Sequence, residues 1–308
     1  MSPSEYRKII LEKLPQESVL ADHDDTGHFY KVPALAKRFP SVTGKLQILK
    51  DQSLINYKMN RALDHVFEHW KEFSESTVME FLDQARNASG LILEDAGDIG
   101  TLIHACRERY FSDWIASGVR PADVLEYLPK EEEDIRAVSG LRALEKFCDE
   151  WGYIPIATEL LVYSEEFALG GTLDDIGLVF TEKFLPSPHC SHDACLRDFK
   201  WRYQVCLACG KKWNYVFCLM DIKTSNQFKD HYFFQVAMYY DMFRTLTGLR
   251  PRRQFIVKLS KEDGTYKIEE LRQIGKLVHY AHNMLKTDEG VEFVKKIRKD
   301  NQKLILEF

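Results

Sequence analysis

Hydrophobic and polar positions change their rhythm about midway along the chain. In LINYKMNRALDHVFEHWKEF, Leu54, Tyr57, Ala62, Val66 and Trp70 recur at roughly helical spacing, because residues three and four apart share one helix face. TVMEFLDQARNASGLILEDAGDIGTLIHACRERYFSDWIASG carries similar patterns, with breaks expected at Gly90, Gly97 and Gly100. From Ile154, PIATELLVYSEEFALGGTLDDIGLVF is dense in β-branched and aromatic residues, which predicts two strands with Gly170-Gly171 supplying the turn. A polar, cysteine-bearing stretch from Glu182 to Trp213 precedes the apolar run YVFCLMDIKTS. KDHYFFQVAMYYDMFRTLTG then predicts a helix ended by Gly248, and RRQFIVKLSKEDGTYKIEEL a second hairpin turning at Asp263-Gly264 before a last helix. Helices, three strands, helix, two strands, helix is the order of an α/β (α+β) core carrying an insertion. Residues 1–95 are expected as a mainly helical part packed on a core of 96–308, with 182–213 inserted into that core.

The 308 residues, 45% hydrophobic and 29% charged, suffice to bury one sizeable core. No apolar run reaches the roughly eighteen residues of a membrane span, and the N-terminal stretch lacks signal-peptide character. A cytoplasmic protein, prokaryotic or viral in a host cytoplasm, is expected, without a membrane partner. A net charge of −5 argues against nonspecific coating of nucleic acid. It leaves room for local basic groups such as Arg250, Arg252 and Arg253, or Arg197, Lys200, Arg202, Lys211 and Lys212, which read equally as solvated surface.

Alternation along YVFCLMDIKTS puts Asp221 and Lys223 on one face of a strand and Ile222 on the other. A hard divalent cation wants oxygen ligands, which Asp174, Asp221 and the Ile222 carbonyl can provide. Lys223 can orient a water or stabilise phosphoryl charge. In an extended GGTLDD, Asp174 and Asp175 point to opposite faces, and Asp174 is the favoured ligand. A D-x-K triplet alone is a common coincidence; the surrounding segments give it weight.

Five segments, in order, resemble the RecB-like branch of the PD-(D/E)XK nuclease superfamily. They are F-P-S-V-T (Phe39 to Thr43) with S-L-I-N-Y, G-T-L-I-H (Gly100 to His104), T-E-L-L-V with G-G-T-L-D, D-I-K-T-S, and Y-F-F-Q-V-A-M-Y (Tyr232 to Tyr239). The resemblance implies a restriction-endonuclease-like core, a central mixed sheet flanked by helices. It makes His104, Asp174 and Asp221 ligands of one or two catalytic Mg²⁺ or Mn²⁺ ions and Lys223 the catalytic lysine. Gln235 and Tyr239 would hold the substrate backbone or the lysine. Glu159 stands where many relatives carry an acidic residue, with a site role or a structural one. Ser41 and Thr43 read as backbone-contacting hydroxyls or as strand or helix-cap residues.

Relatives join the two carboxylate strands by a short turn, whereas here a cysteine-rich segment intervenes. Cys206-x-x-Cys209-Gly210 has knuckle spacing, and Cys190, His192 and Cys195 offer the second pair of ligands for a structural Zn²⁺. Four thiolates, or three with His192, both fit; His189 is a weaker candidate. This module either grips DNA through its basic residues with Trp201 and Trp213 or staples a small polar insertion. Cys106, Cys148 and Cys218 sit singly in apolar elements, which fits a reducing cell rather than a disulfide framework.

The expected activity is that of a metal-dependent DNA exonuclease acting on ends or single strands in recombination, repair or viral DNA processing. DNA is the expected partner, with a recombination or replication protein beside it. The alternatives are a structure-specific endonuclease and a catalytically silent nucleic-acid-binding scaffold.

Overall fold

A computed structural model of the chain describes residues 2–14, 20–24, 27–32, 35–46, 52–72, 78–132, 134–181, 197–200, 203–206, 212–225 and 227–287. Its centre is a mixed sheet of β4 (Ile154–Ser164), β5 (Leu169–Phe180), β8 (Lys212–Lys223), β9 (Arg253–Leu259) and β10 (Tyr266–Glu270). The order is β10-β9-β8-β5-β4, with β8 and β9 parallel and the other neighbours antiparallel. Between β5 and β8 the hairpin of β6 (Arg197–Lys200) and β7 (Tyr203–Cys206) joins the start of β8 through β7.

Both faces of this sheet are buried, so its inner strands read as near-continuous apolar runs. One face carries Leu160, Leu173, Ile176, Phe217, Leu219 and Ile256 against α6 (Asp230–Thr247), the C-terminal helix 274–287 and α1 (Pro3–Lys13). The other carries Val179, Cys218, Met220, Ile222, Phe255 and Val257 against α5 (Ile135–Trp151) and the second half of α4 (Val78–Ser117). The expected α+β architecture, a sheet flanked by helices with a helical N-terminal part, is present.

Three local expectations are corrected. α4 runs unbroken through Gly90, Gly97 and Gly100, so the domain boundary drawn at 95 falls inside one helix. Each interior glycine costs about 1 kcal/mol, offset where Ile99, Ile103, Cys106, Tyr110 and Phe111 are buried on the core. The hairpin turns at residues 165–168, with Ala168 at φ 48°, rather than at Gly170-Gly171. Those glycines lie inside β5 because neighbours press on them: an added Cβ would meet Tyr30 at 2.5 Å from Gly170 and Tyr239 at 2.3 Å from Gly171. Lastly, the N-terminal part contains a small antiparallel sheet, β1 (Leu20–Asp24), β2 (Gly27–Val32) and β3 (Lys37–Pro40), before α2 (Val42–Lys45) and α3 (Gln52–His69). Tyr30, Val32 and Phe39 bury a minor core, and Ser41 bridges to Gly170, tying this sheet to β5.

Candidate metal centre

The site forms where regular pairing stops. The β5–β8 ladder ends at Asp175 and Met220, one step before Asp174 would face Asp221. There the Ile222 N–H donates to Asp174 Oδ2 at 2.7 Å, the carboxylate replacing a lost main-chain acceptor. On the other side of Asp174, Glu159 drops out of the β4–β5 register with a left-handed φ of 49°. For a residue with a Cβ that conformation is strained and persists only where its surroundings enforce it.

α4 supplies the third wall. Gly100 lets the helix approach the end of β8, since a Cβ there would lie 2.7 Å from Thr224 Oγ1. One turn on, His104 reaches the carboxylates: donor atoms of His104, Glu159 and Asp174 all lie within 4.8 Å of one another. His104 and Asp174, both expected as ligands, are thus brought together, and Glu159 joins them. Asp221 is not in this triad. It is buried beside it, with Lys223 Nζ 2.7 Å from its Oδ2, so Asp221 and Lys223 do share a face. Ile222 points into the opposite core.

Burial sets the protonation of the cluster, with neighbouring charges modulating it. His104 is pushed down to about 4 by burial, against the attraction of Asp174, so its ring is neutral and able to ligate at neutral pH. Burial raises Asp221 to about 7 despite Lys223, and Glu159 to about 8 despite Arg107. Burial also works to raise Asp174, but Arg107, His104 and Lys223 hold it below its ordinary value.

Arg107 carries a role the sequence reading missed. Fully buried one turn beyond His104, it pairs with both Asp175 and Glu159. Asp174 and Asp175 therefore diverge as expected of neighbours on a strand, one to the candidate metal triad and one to a structural arginine. The available signal was the His104-x-x-Arg107 spacing on an apolar helix face.

Gln235 and Tyr239, four apart on α6, are both buried. Gln235 Nε2 donates to Tyr239 Oη at 3.1 Å and to Thr43 Oγ1 at 3.2 Å. Lys223 lies 5.0 Å from the Tyr232 ring centre. Ser41 caps α2, accepting from Gly44 N at 2.9 Å, which is the helix-cap reading. In the basic cluster at 250–253, Arg253 is committed to Glu270 at 2.7 Å.

Cys190, His192, Cys195 and Cys209, expected from the sequence as zinc ligands, and the weaker candidate His189 lie outside the described residues. Cys206 enters only through its backbone, as the last residue of β7 opposite Arg197. Cys106, Cys148 and Cys218 are buried and take part in no disulfide among the described residues. Among the described residues no helix is long and apolar enough to cross a membrane.

No protein-family model matches the chain, and no curated protein matches it. A solved structure titled "Crystal structure of SSO0001" aligns with 60% of this chain and 73% of its own at 13% identity, with a TM-score of 0.23. A likeness that slight carries no argument.

Proposed function

We propose that the chain is a metal-dependent nuclease of the PD-(D/E)XK type, hydrolysing phosphodiester bonds in DNA at ends or in single strands. The observation that supports this is the convergence of His104, Glu159 and Asp174 within 4.8 Å, with the Asp221–Lys223 pair alongside.

The residues suit a hard divalent cation. One nitrogen and two carboxylates are suitable donors for Mg²⁺ or Mn²⁺. Asp221 is almost completely buried, with Oδ2 held by the Lys223 ammonium at 2.7 Å and Oδ1 without a hydrogen-bond partner, and a buried oxygen left so costs free energy that a bound cation would relieve. His104, Glu159, Asp174 and Asp221 would hold the ion, with the Ile222 carbonyl as a further oxygen. Bound there, a divalent cation neutralises phosphate charge and acidifies a water.

The remaining work belongs to the chain. The Lys223 ammonium, partly open to solvent and anchored by Asp221, donates to a non-bridging phosphate oxygen as negative charge grows during displacement. The Ile222 N–H holds Asp174 in a fixed orientation. Arg107 fixes Glu159 from the buried side. Gln235 joins Tyr239 to Thr43 and so ties α6 to α2.

Cleavage of DNA labelled separately at its two ends, with Mg²⁺, Mn²⁺ or chelator, tests the reading. Asp221→Ala and Lys223→Ala should each abolish product while a thermal melt shows the variant still folded at the assay temperature. Full activity in both variants would refute it. Closed circular DNA in the same assay separates internal cutting from digestion of ends.

A further inference from the structure

The strand that ends in Lys223 does not stand alone in its charge. In the sheet register Lys223 lies opposite Lys258 of β9, and Lys258 lies opposite Lys267 of β10. Directly registered residues on neighbouring strands share a face, about 4.8 Å apart per strand. That face is the Asp221 side: Phe255, Val257, Tyr266 and Ile268, which alternate with these lysines, pack into the opposite core. Three ammonium groups thus form a row from the candidate metal centre to the outer strand of the sheet.

Like charges directly opposite one another on a sheet are destabilising. Burial first, and then the like charge of Lys267, holds the Lys258 amine below its ordinary value. The acidic groups that act on it, Glu262 and Asp263, sit in the β9–β10 turn rather than in the row. Aromatic rings flank two of the cations. Lys223 Nζ lies 5.0 Å from the Tyr232 ring centre and Lys258 Nζ 5.7 Å from that of Phe228, both rings partly exposed. Cations spaced along a line with aromatic rings beside them match the phosphates and bases of one unpaired strand.

We propose that Lys258 and Lys267 extend the Lys223 site into a track for the phosphate backbone of a single nucleic-acid strand, running from the metal centre to the β10 edge. This rests on the nuclease reading for its substrate class but not for its geometry. The track gives the strand a defined path past the site, with its unpaired end or flank over β9 and β10.

The test measures binding of fluorescein-labelled oligothymidylate to the full chain by anisotropy, with Ca²⁺ replacing Mg²⁺, over a salt series. The variants are Lys258→Gln, Lys267→Gln and the double substitution. The slope of log affinity against log salt should flatten by about 0.7 for each lysine removed, and Lys258→Arg should retain the wild-type slope. A thermal melt of each variant shows that it is folded at the binding temperature, so that weakened binding does not reflect misfolding. Cleavage by wild type is scored in parallel with Mn²⁺. If the wild type cleaves and the double variant keeps its affinity and slope, the track is wrong and the nuclease reading stands. If the slope flattens but the wild type cleaves nothing, the track stands and the nuclease reading is wrong. A wild type that does not bind the strand sinks both.

Discussion

Arg107 shows how one buried side chain shapes the site without joining the candidate ligands. It is fully buried, and its guanidinium is shared between Asp175, equally buried, and Glu159, a member of the candidate metal triad. A buried arginine that satisfies two carboxylates holds both in fixed orientations, since its planar fork allows little freedom. Those carboxylates in turn raise its pKa above the ordinary arginine value against the effect of burial. Arg107→Met would leave Asp175 charged or force it to bind a proton, and removal of one partner from a buried pair costs about 3–5 kcal/mol. The expected outcome in urea unfolding is a midpoint lowered by a loss of that size. Arg107→Lys, which keeps charge without the fork, should recover part of it. A loss below about 1 kcal/mol, the range of exposed pairs, would mean that Arg107 does not hold the two carboxylates together.

Elements, rather than single residues, decide how much could be read in advance. The strands β4, β5, β8, β9 and β10 were legible because β-branched and aromatic runs bounded by turns have few other interpretations. Asp221 and Lys223 sharing a face followed from alternation alone. What periodicity does not encode is contact between distant segments, and the misplacements are of that kind. Gly170 and Gly171 read locally as a turn, yet they serve Tyr30 and Tyr239, which arrive from β2 and α6. Gly100 read as a helix break, yet it admits Thr224 of the segment after β8. Glu159 entered the metal triad through a left-handed kink in β4 that no strand pattern announces. The glycine argument is testable at Gly171. An alanine there places its Cβ 2.3 Å from Tyr239 Cε1, and the buried ring has little room to yield. Overpacking of this kind costs about 1–3 kcal/mol, so Gly171→Ala should lower the unfolding midpoint accordingly. The companion change Tyr239→Leu, made together with Gly171→Ala, should cost less than the sum of the two single changes. Simple additivity would show that the contact does not limit the packing of β5 against α6.

At the scale of the whole molecule, the candidate metal centre sets a conflict between stability and charge. Burial raises the carboxyl of Asp221 from 3.8 to about 7, with Lys223 opposing. The folded chain therefore holds this proton more tightly than the unfolded chain does. The stability so contributed is fully present below about pH 4 and is lost as pH rises towards 7. Asp221→Asn stays neutral throughout. Relative to wild type, the metal-stripped variant should be neither gained nor lost in stability near pH 4 and should become progressively more stable up to about pH 7. A divalent cation reverses the ranking, because it needs the ionised carboxylate that the fold disfavours, and ion binding to the native state alone adds stability by mass action. Manganese should thus raise the wild-type melting temperature more at pH 8 than at pH 6, while the Asn variant gains little at either. Glu159, raised to about 8, pushes the window of tightest ion binding further to the alkaline side. Thermal melts of both proteins at the two pH values, with chelator and with Mn²⁺, read all four cases. If wild type and variant respond alike to the ion, Asp221 is not among its ligands, and its carboxylate serves only to pair with Lys223.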